Sequence, residues 1–144
     1  MDIYQALRED HQEAKQLFSQ IEAAGKNSDS REKLFLKLKD ALEAHSEAEE
    51  QVFYTPLQKK EETKQKIDHA NKEHEKVTTL LNEIESMDHN DENWLKKVTK
   101  LKEDVQHHIQ EEEGEIFKNA QGILSQQQAD HMGEEFKQVK EQKS

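Results

Sequence analysis

The sequence predicts an all-α protein: an up-down-up-down four-helix bundle with an additional short C-terminal helix. Three observations lead there. Apolar residues recur at alternating spacings of three and four along long segments, which keeps them on one helical face. Four glycines and a single proline leave little material for turns in 144 residues. Charged residues (37%) outnumber hydrophobic ones (31%), a balance that suits long amphipathic helices with narrow apolar seams. So polar a chain invites disorder, but the regular seams argue against it. The length fits one domain, residues 1–144, with one core.

Each element has its own signals. The first helix is expected over about residues 2–24, with Asp2 as N-cap and Gly25 able to adopt the left-handed cap at its end. Tyr4, Leu7, His11, Ala14, Phe18 and Ile21 form its inner face. The polar run Lys26, Asn27, Ser28, Asp29, Ser30 reads as a loop. Ser30 then caps a second helix over about 31–60, with Lys33 where a capping box places glutamate. That helix carries Leu34, Leu38, Leu42, His45, Glu49 and Phe53 on its seam, and Pro56 is expected to kink it or end its regular part.

The third helix, about 63–87, aligns Ile67, Ala70, His74, Val77, Leu81 and Ile84. After a turn at Asp88-His89-Asn90-Asp91, the fourth helix, about 91–121, aligns Trp94, Val98, Leu101, Val105, His108, Glu112 and Ile116. Gly122 ends it, and Ser125 caps a fifth helix over about 125–140 that covers the bundle or mediates association. Four stripes joined by short connections give an antiparallel bundle.

The two halves match at an offset of 63 residues. His11 maps onto His74, His45 onto His108, Glu49 onto Glu112 and Glu50 onto Glu113, while Leu17, Ile21 and Leu38 map onto Leu80, Ile84 and Leu101. A duplicated helix pair is expected, with an approximate twofold axis through the bundle.

Composition narrows the function. A net charge of −11 disfavours nucleic acid and anionic membranes, because phosphate contacts need a basic surface. No apolar run approaches the roughly 18 residues of a spanning helix, and the start lacks a basic region followed by an apolar one. A cytoplasmic location is the expectation. The absence of cysteine removes disulfides, thiolate zinc sites and cysteine-held iron–sulfur clusters.

Four histidines and two glutamates interrupt the apolar stripes: His11, His45, Glu49, His74, His108 and Glu112. Six buried polar groups are costly unless something compensates them, and clustered imidazole and carboxylate point to a metal. The segments from His11 to Ala24 and from Ser30 to His45 are each roughly 20 Å long at 1.5 Å per residue. An antiparallel pair therefore sets the two histidines side by side, and the repeat does the same for His74 and His108. His45-x-x-x-Glu49 and His108-x-x-x-Glu112 project donors from neighbouring turns. Two histidines per metal with two bridging carboxylates favour a dinuclear centre. A solvent bridge added to these leaves a position open for a small molecule. Nitrogen and oxygen donors suit iron, manganese or zinc, and Phe18, Leu38, Leu81 and Leu101 make the surroundings apolar, which favours a small neutral guest.

The segments Asp10-His11, His45 to Glu50, Glu73-His74-Glu75 and His108 to Glu113 resemble the four metal-binding segments of the hemerythrin-like (HHE cation-binding) domain family, over residues 1–121. The resemblance implies two non-haem iron ions, with zinc or manganese as substitutes, and a role with dioxygen or another small diatomic molecule. It makes the four histidines terminal ligands and Glu49 and Glu112 bridges. Oxygen-carrying members have a second histidine on the third helix, four residues from the first; Ala70 and Thr78 stand there instead. The pattern is similar to the branch with four histidines and a more symmetric site. The spacing of oxygen carriers would select Glu113, whereas the internal repeat selects Glu112.

Alternative functions are a di-iron oxidase or peroxidase, an iron store or donor, and a structural bundle stabilised by metal. Against a ferritin-like oxidase, the nearest glutamate–histidine-type motif is Asp104-x-x-His107, on one helix and off the seam. His69 and His107 read as solvated or supporting residues, His89 and His131 as exposed, and Tyr54 and Phe117 as a repeat pair packing at the core edge. Monomer and homodimer are both open.

Overall fold

The computed structural model describes residues 1–25 and 28–143. Among them every regular element is helical, in the order α1 (Ile3–Ala24), α2 (Ser28–Glu49), the π-helical segment π1 (Glu50–Tyr54), α3 (Thr55–Gln58), α4 (Lys64–Ser86), α5 (Glu92–Glu111), π2 (Glu112–Ile116), α6 (Phe117–Gln121) and α7 (Gln126–Lys143). Residues 28–58 and 92–121 each form one long rod. With α1 and α4 they make the four-rod bundle, and α7 lies across α1 and α2. None of the described helices is long and apolar enough to cross a membrane.

The caps explain the boundaries. Asp2 accepts from the Gln5 amide (2.9 Å) while Gln5 reaches back to the Asp2 amide (3.2 Å), a reciprocal capping box. Gly25 has φ 58° and ψ −130°, a positive-φ conformation beyond the left-handed helical region, open to glycine and costly for other residues. The second helix starts at Ser28, three residues before the start expected after a Ser30 cap, so Asp29 and Ser30 belong to its first turn. The Lys26 and Asn27 part of the expected loop lies outside the described residues. Thr63 precedes α4 without capping it; its hydroxyl instead donates to the Leu57 carbonyl (2.6 Å) and ties the two rods together. Asp91 accepts from the Asn93 amide (2.8 Å). Ser125 and Gln128 form a second reciprocal box at the start of α7, which runs three residues past its expected end.

Pro56 does not end the second rod, which stays helical to Gln58, but the regular α geometry stops before it, at Glu49. The turn before it widens to π geometry, with Thr55 N–H and Oγ1–H both given to the Glu50 carbonyl. Proline cannot donate to Val52, and a wider turn relieves its ring against the preceding carbonyls. The fourth rod has the same widening at Glu112–Ile116 with no proline, so its position beside the buried glutamate is common to both halves. An extra residue in the turn rotates the remainder of the rod, and Val52, Phe53 and Tyr54 all face inward.

Two apolar clusters fill the bundle. One gathers Phe18, Ile21, Leu38, Leu81, Ile84, Trp94 and Leu101; the other gathers Tyr4, Leu7, Phe53, Leu57, Ile67, Ile116, Phe117 and, from α7, Phe136. Every residue expected on the four seams is buried except Leu34, which packs partly exposed against the first cluster. Between the clusters lies a polar layer.

Candidate metal centre

That layer consists of His11 on α1, His45 and Glu49 on α2, His74 on α4, His108 on α5 and Glu112 at the start of π2. All six are buried, and both glutamates are fully inaccessible. The four histidines share one orientation: Nε2 points to the bundle axis and Nδ1 points outward to a carboxylate. Nδ1–H donates to Glu113 from His11 (2.6 Å), to Asp10 from His45 (2.8 Å) and to Glu73 from His108 (2.9 Å), while Nδ1 of His74 lies 3.4 Å from Glu50. Such outer carboxylates fix the ring orientation and leave Nε2 as the free donor of an electron pair.

On the inner side the glutamates join the halves. Glu112 Oε1 lies 3.1 Å from His11 Nε2, and its Oε2 lies 3.4 Å from His108 Nε2. Glu49 Oε1 lies 3.5 Å from His45 Nε2 and 3.2 Å from His74 Nε2. The pairs interchange under the internal repeat, as the expected twofold relation requires of these side chains. His11, His45, Glu49 and Glu112 form one group that can hold a metal ion, with donor atoms all within 4.8 Å of one another; Glu49, His74 and His108 form another.

The atoms fit a cation better than they fit each other. Both oxygens of Glu49, Oε1 of Glu112 and Nε2 of His11 are buried and make no hydrogen bond, although His11 and Glu112 are close enough for one. His11, Glu49 and Glu112 all belong to the group whose donor atoms lie within 4.8 Å of one another. Leaving a buried polar atom unpaired costs about 1–3 kcal/mol, and a metal ion would satisfy several at once.

Without a cation, protons take its place. Burial opposes charge on His45, but Glu49 and Asp10 outweigh it and raise its pKa to about 10. Burial is likewise overcome at His74 by Glu49 and Glu50, and at His108 by Glu112 and Glu73, and both imidazoles are shifted up. Glu112 is held well below the usual carboxylate range, its burial outweighed by His108 and His11.

Tyr54 departs from its expected place at the core edge. Its hydroxyl donates to Glu112 Oε2 and lies 3.2 Å from His108 Nε2. Burial first, then the nearby Glu112 and Glu49, push the phenol pKa well up, so it keeps its proton. Its repeat mate Phe117 has no such group, and this is the main break in the symmetry of the layer. Glu113, the rival of Glu112 in the sequence, points outward to His11. The outer acids Asp10, Glu50, Glu73 and Glu113 had a signal in the sequence: each adjoins a member of the inner six. His89, expected exposed, is partly buried 3.7 Å from Glu32, and His131 is exposed.

The Hemerythrin HHE cation binding domain model matches residues 2–120. Over 101 residues the chain is 33% identical to an uncharacterised hemerythrin-like protein of Schizosaccharomyces pombe, covering 69% of this chain and 50% of that one. Over 143 residues it is 27% identical to a protein of Nostoc sp. named DNA nickase, covering 97% of this chain and 39% of that one. The chain thus spans half or less of the length of these curated relatives. The fold matches the crystal structure of a hemerythrin HHE cation binding domain-containing protein, the Rv2633c homolog from Mycobacterium kansasii, with a TM-score of 0.89 at 24% identity, over 99% of this chain and 87% of that one. Family match, bundle and buried donor layer agree, and the chain belongs to the hemerythrin HHE cation-binding domain family.

Proposed function

We propose that the chain holds two non-haem iron ions, one between His11 and His45 and one between His74 and His108, with Glu49 and Glu112 shared between them, and that it binds or senses dioxygen or a related diatomic molecule. The observation that carries this reading is the set of buried, unbonded lone pairs on Glu49, Glu112 and His11, backed by imidazoles whose outer nitrogens are already engaged. An iron pair supplies reversible electron exchange and an open position for a small neutral guest. The chain supplies orientation through Asp10, Glu50, Glu73 and Glu113, and shelter through Phe18, Leu38, Leu81 and Leu101, each buried above the layer. The acidic balance of the chain supports a small-molecule partner over a nucleic acid.

Metal analysis of protein purified without chelator tests the first part, with an expected ratio near two irons per chain that falls in Glu49→Gln and Glu112→Gln. A ratio near zero with iron supplied during growth overturns it. Exposing the reduced protein to air tests the second part: a new visible charge-transfer band is expected. If two irons bind and no band forms, the diatomic reading fails while iron binding stands.

Tyr54 favours a second reading, an oxidase or peroxidase, because it sets a buried O–H donor beside the layer in one half only. Steady turnover of peroxide that collapses in Tyr54→Phe would establish it.

A further inference from the structure

We propose a second, surface metal site on the α4/α5 face, where His69, Glu73 and Glu111 hold one divalent transition-metal cation with His107 on the same two carboxylates. His69 Nε2 lies 3.4 Å from Glu73 Oε2 and 3.3 Å from Glu111 Oε2. His107 Nε2 lies 2.9 Å from Glu111 Oε1 and 3.7 Å from Glu73 Oε2. One donor atom each from His69, Glu73 and Glu111 falls within 4.8 Å of the other two. Metal–ligand bonds of about 2.0–2.2 Å at tetrahedral angles put neighbouring donors about 3.3–3.6 Å apart, close to the spacing of the His69 nitrogen from both carboxylates. Each helix contributes a histidine and a glutamate four residues apart, so both donors of a pair leave the same face.

The internal repeat shows why a cation belongs there. The equivalents of His69, His107 and Glu111 in the first half are Ala6, Ala44 and Ala48, and that of Glu73 is Asp10. Ala6 and Ala48 pack in one cluster with Phe136 and Val139 of α7. There Asp10 gives one oxygen to His45 and the other to the Lys140 ammonium (2.6 Å). In the second half, Glu73 gives Oε1 to His108 and turns Oε2 to the two surface imidazoles. No helix covers this face among the described residues: the His69 and His107 side chains are 60% and 64% exposed. The position filled by lysine in one half is framed by metal donors in the other. Lys66, on the same face, is drawn to Glu115 (2.7 Å). Imidazole with carboxylate selects zinc, nickel, copper or ferrous iron over magnesium or calcium.

Calorimetric titration of the protein as purified with Zn²⁺ tests this, alongside His69→Ala and His45→Ala. The expected result is one Zn²⁺ equivalent whose affinity falls at least tenfold in His69→Ala, with the metal content of the buried layer unchanged. His45→Ala, which strips a donor from the buried layer, keeps the surface equivalent; this separates failure here from failure of the iron reading. The two surface histidines project into solvent, so their replacement does not threaten folding. Equal Zn²⁺ binding by wild type and His69→Ala, or no Zn²⁺ equivalent at all, overturns the site.

Discussion

The Tyr54 hydroxyl donates to the buried Glu112 carboxylate from the opposite rod, a contact that Phe117 cannot make in the mirrored position. In the metal-free protein this bond serves one of the few partnered oxygens in the layer. Tyr54→Phe should therefore cost about 1–3 kcal/mol of stability in the metal-free state. Urea denaturation with chelator present measures it, and an unchanged midpoint would show that the contact carries no net energy.

The outer carboxylates should act on metal affinity more than on folding. Asp10→Asn, Glu113→Gln or Glu73→Gln leaves the inner donors in place but weakens the hold on Nδ1. Loss of such support typically costs about 10–100-fold in metal affinity. Competition against a chromophoric chelator reads this directly, and a change below twofold would reduce these acids to ordinary surface residues.

Stability and loading should respond to pH with opposite signs. His45 has a folded pKa of about 10 against an ordinary value of 6.5. A raised value contributes stability that is complete below the ordinary pKa and disappears as pH rises through the folded one. Metal-free protein should thus weaken between about pH 6.5 and 10, while metal affinity climbs over the same range because imidazoles must shed protons to bind. Denaturation and metal competition run across that interval check both slopes.

Chelation should lower the melting temperature without abolishing helical signal. Proton-bearing imidazoles already offset the buried carboxylates, so the bundle survives, yet the unpaired atoms of Glu49 and His11 return. Circular dichroism before and after chelator tests this; complete loss of helix would place the metal among the conditions for folding.

Gly133 sits where α7 meets the chain start. A methyl group there would strike the Met1 carbonyl oxygen and come within 2.7 Å of the Asp2 carbonyl carbon. Gly133→Ala should cost about 1–3 kcal/mol through this overpacking. Hydrogen exchange should show α7 opening more readily while α4 and α5 stay protected.

The seams and the six inner donors were legible because three-and-four spacing states directly which side chains share a face. The widened turns were not. A residue one step past Phe53 lies about 100° off the seam in an α-helix, so Tyr54 reads as peripheral until the extra residue of π1 turns it inward. His69 and His107 looked like separate surface residues because their partners sit on the neighbouring helix. The place of α7 was equally hidden, since its docking rests on alanines of α1 and α2 whose smallness matters only once the cover is known.

The carboxylate contacts also cross between the repeats. His11 leans on Glu112 and Glu113 from the later helix pair, and His74 leans on Glu49 and Glu50 from the earlier one. Neither hairpin is self-sufficient: severed from its twin, each would keep its imidazoles and lose half of what aims them. The two units hold each other's donors in place, so that damage to either disturbs both groups of metal-capable side chains together.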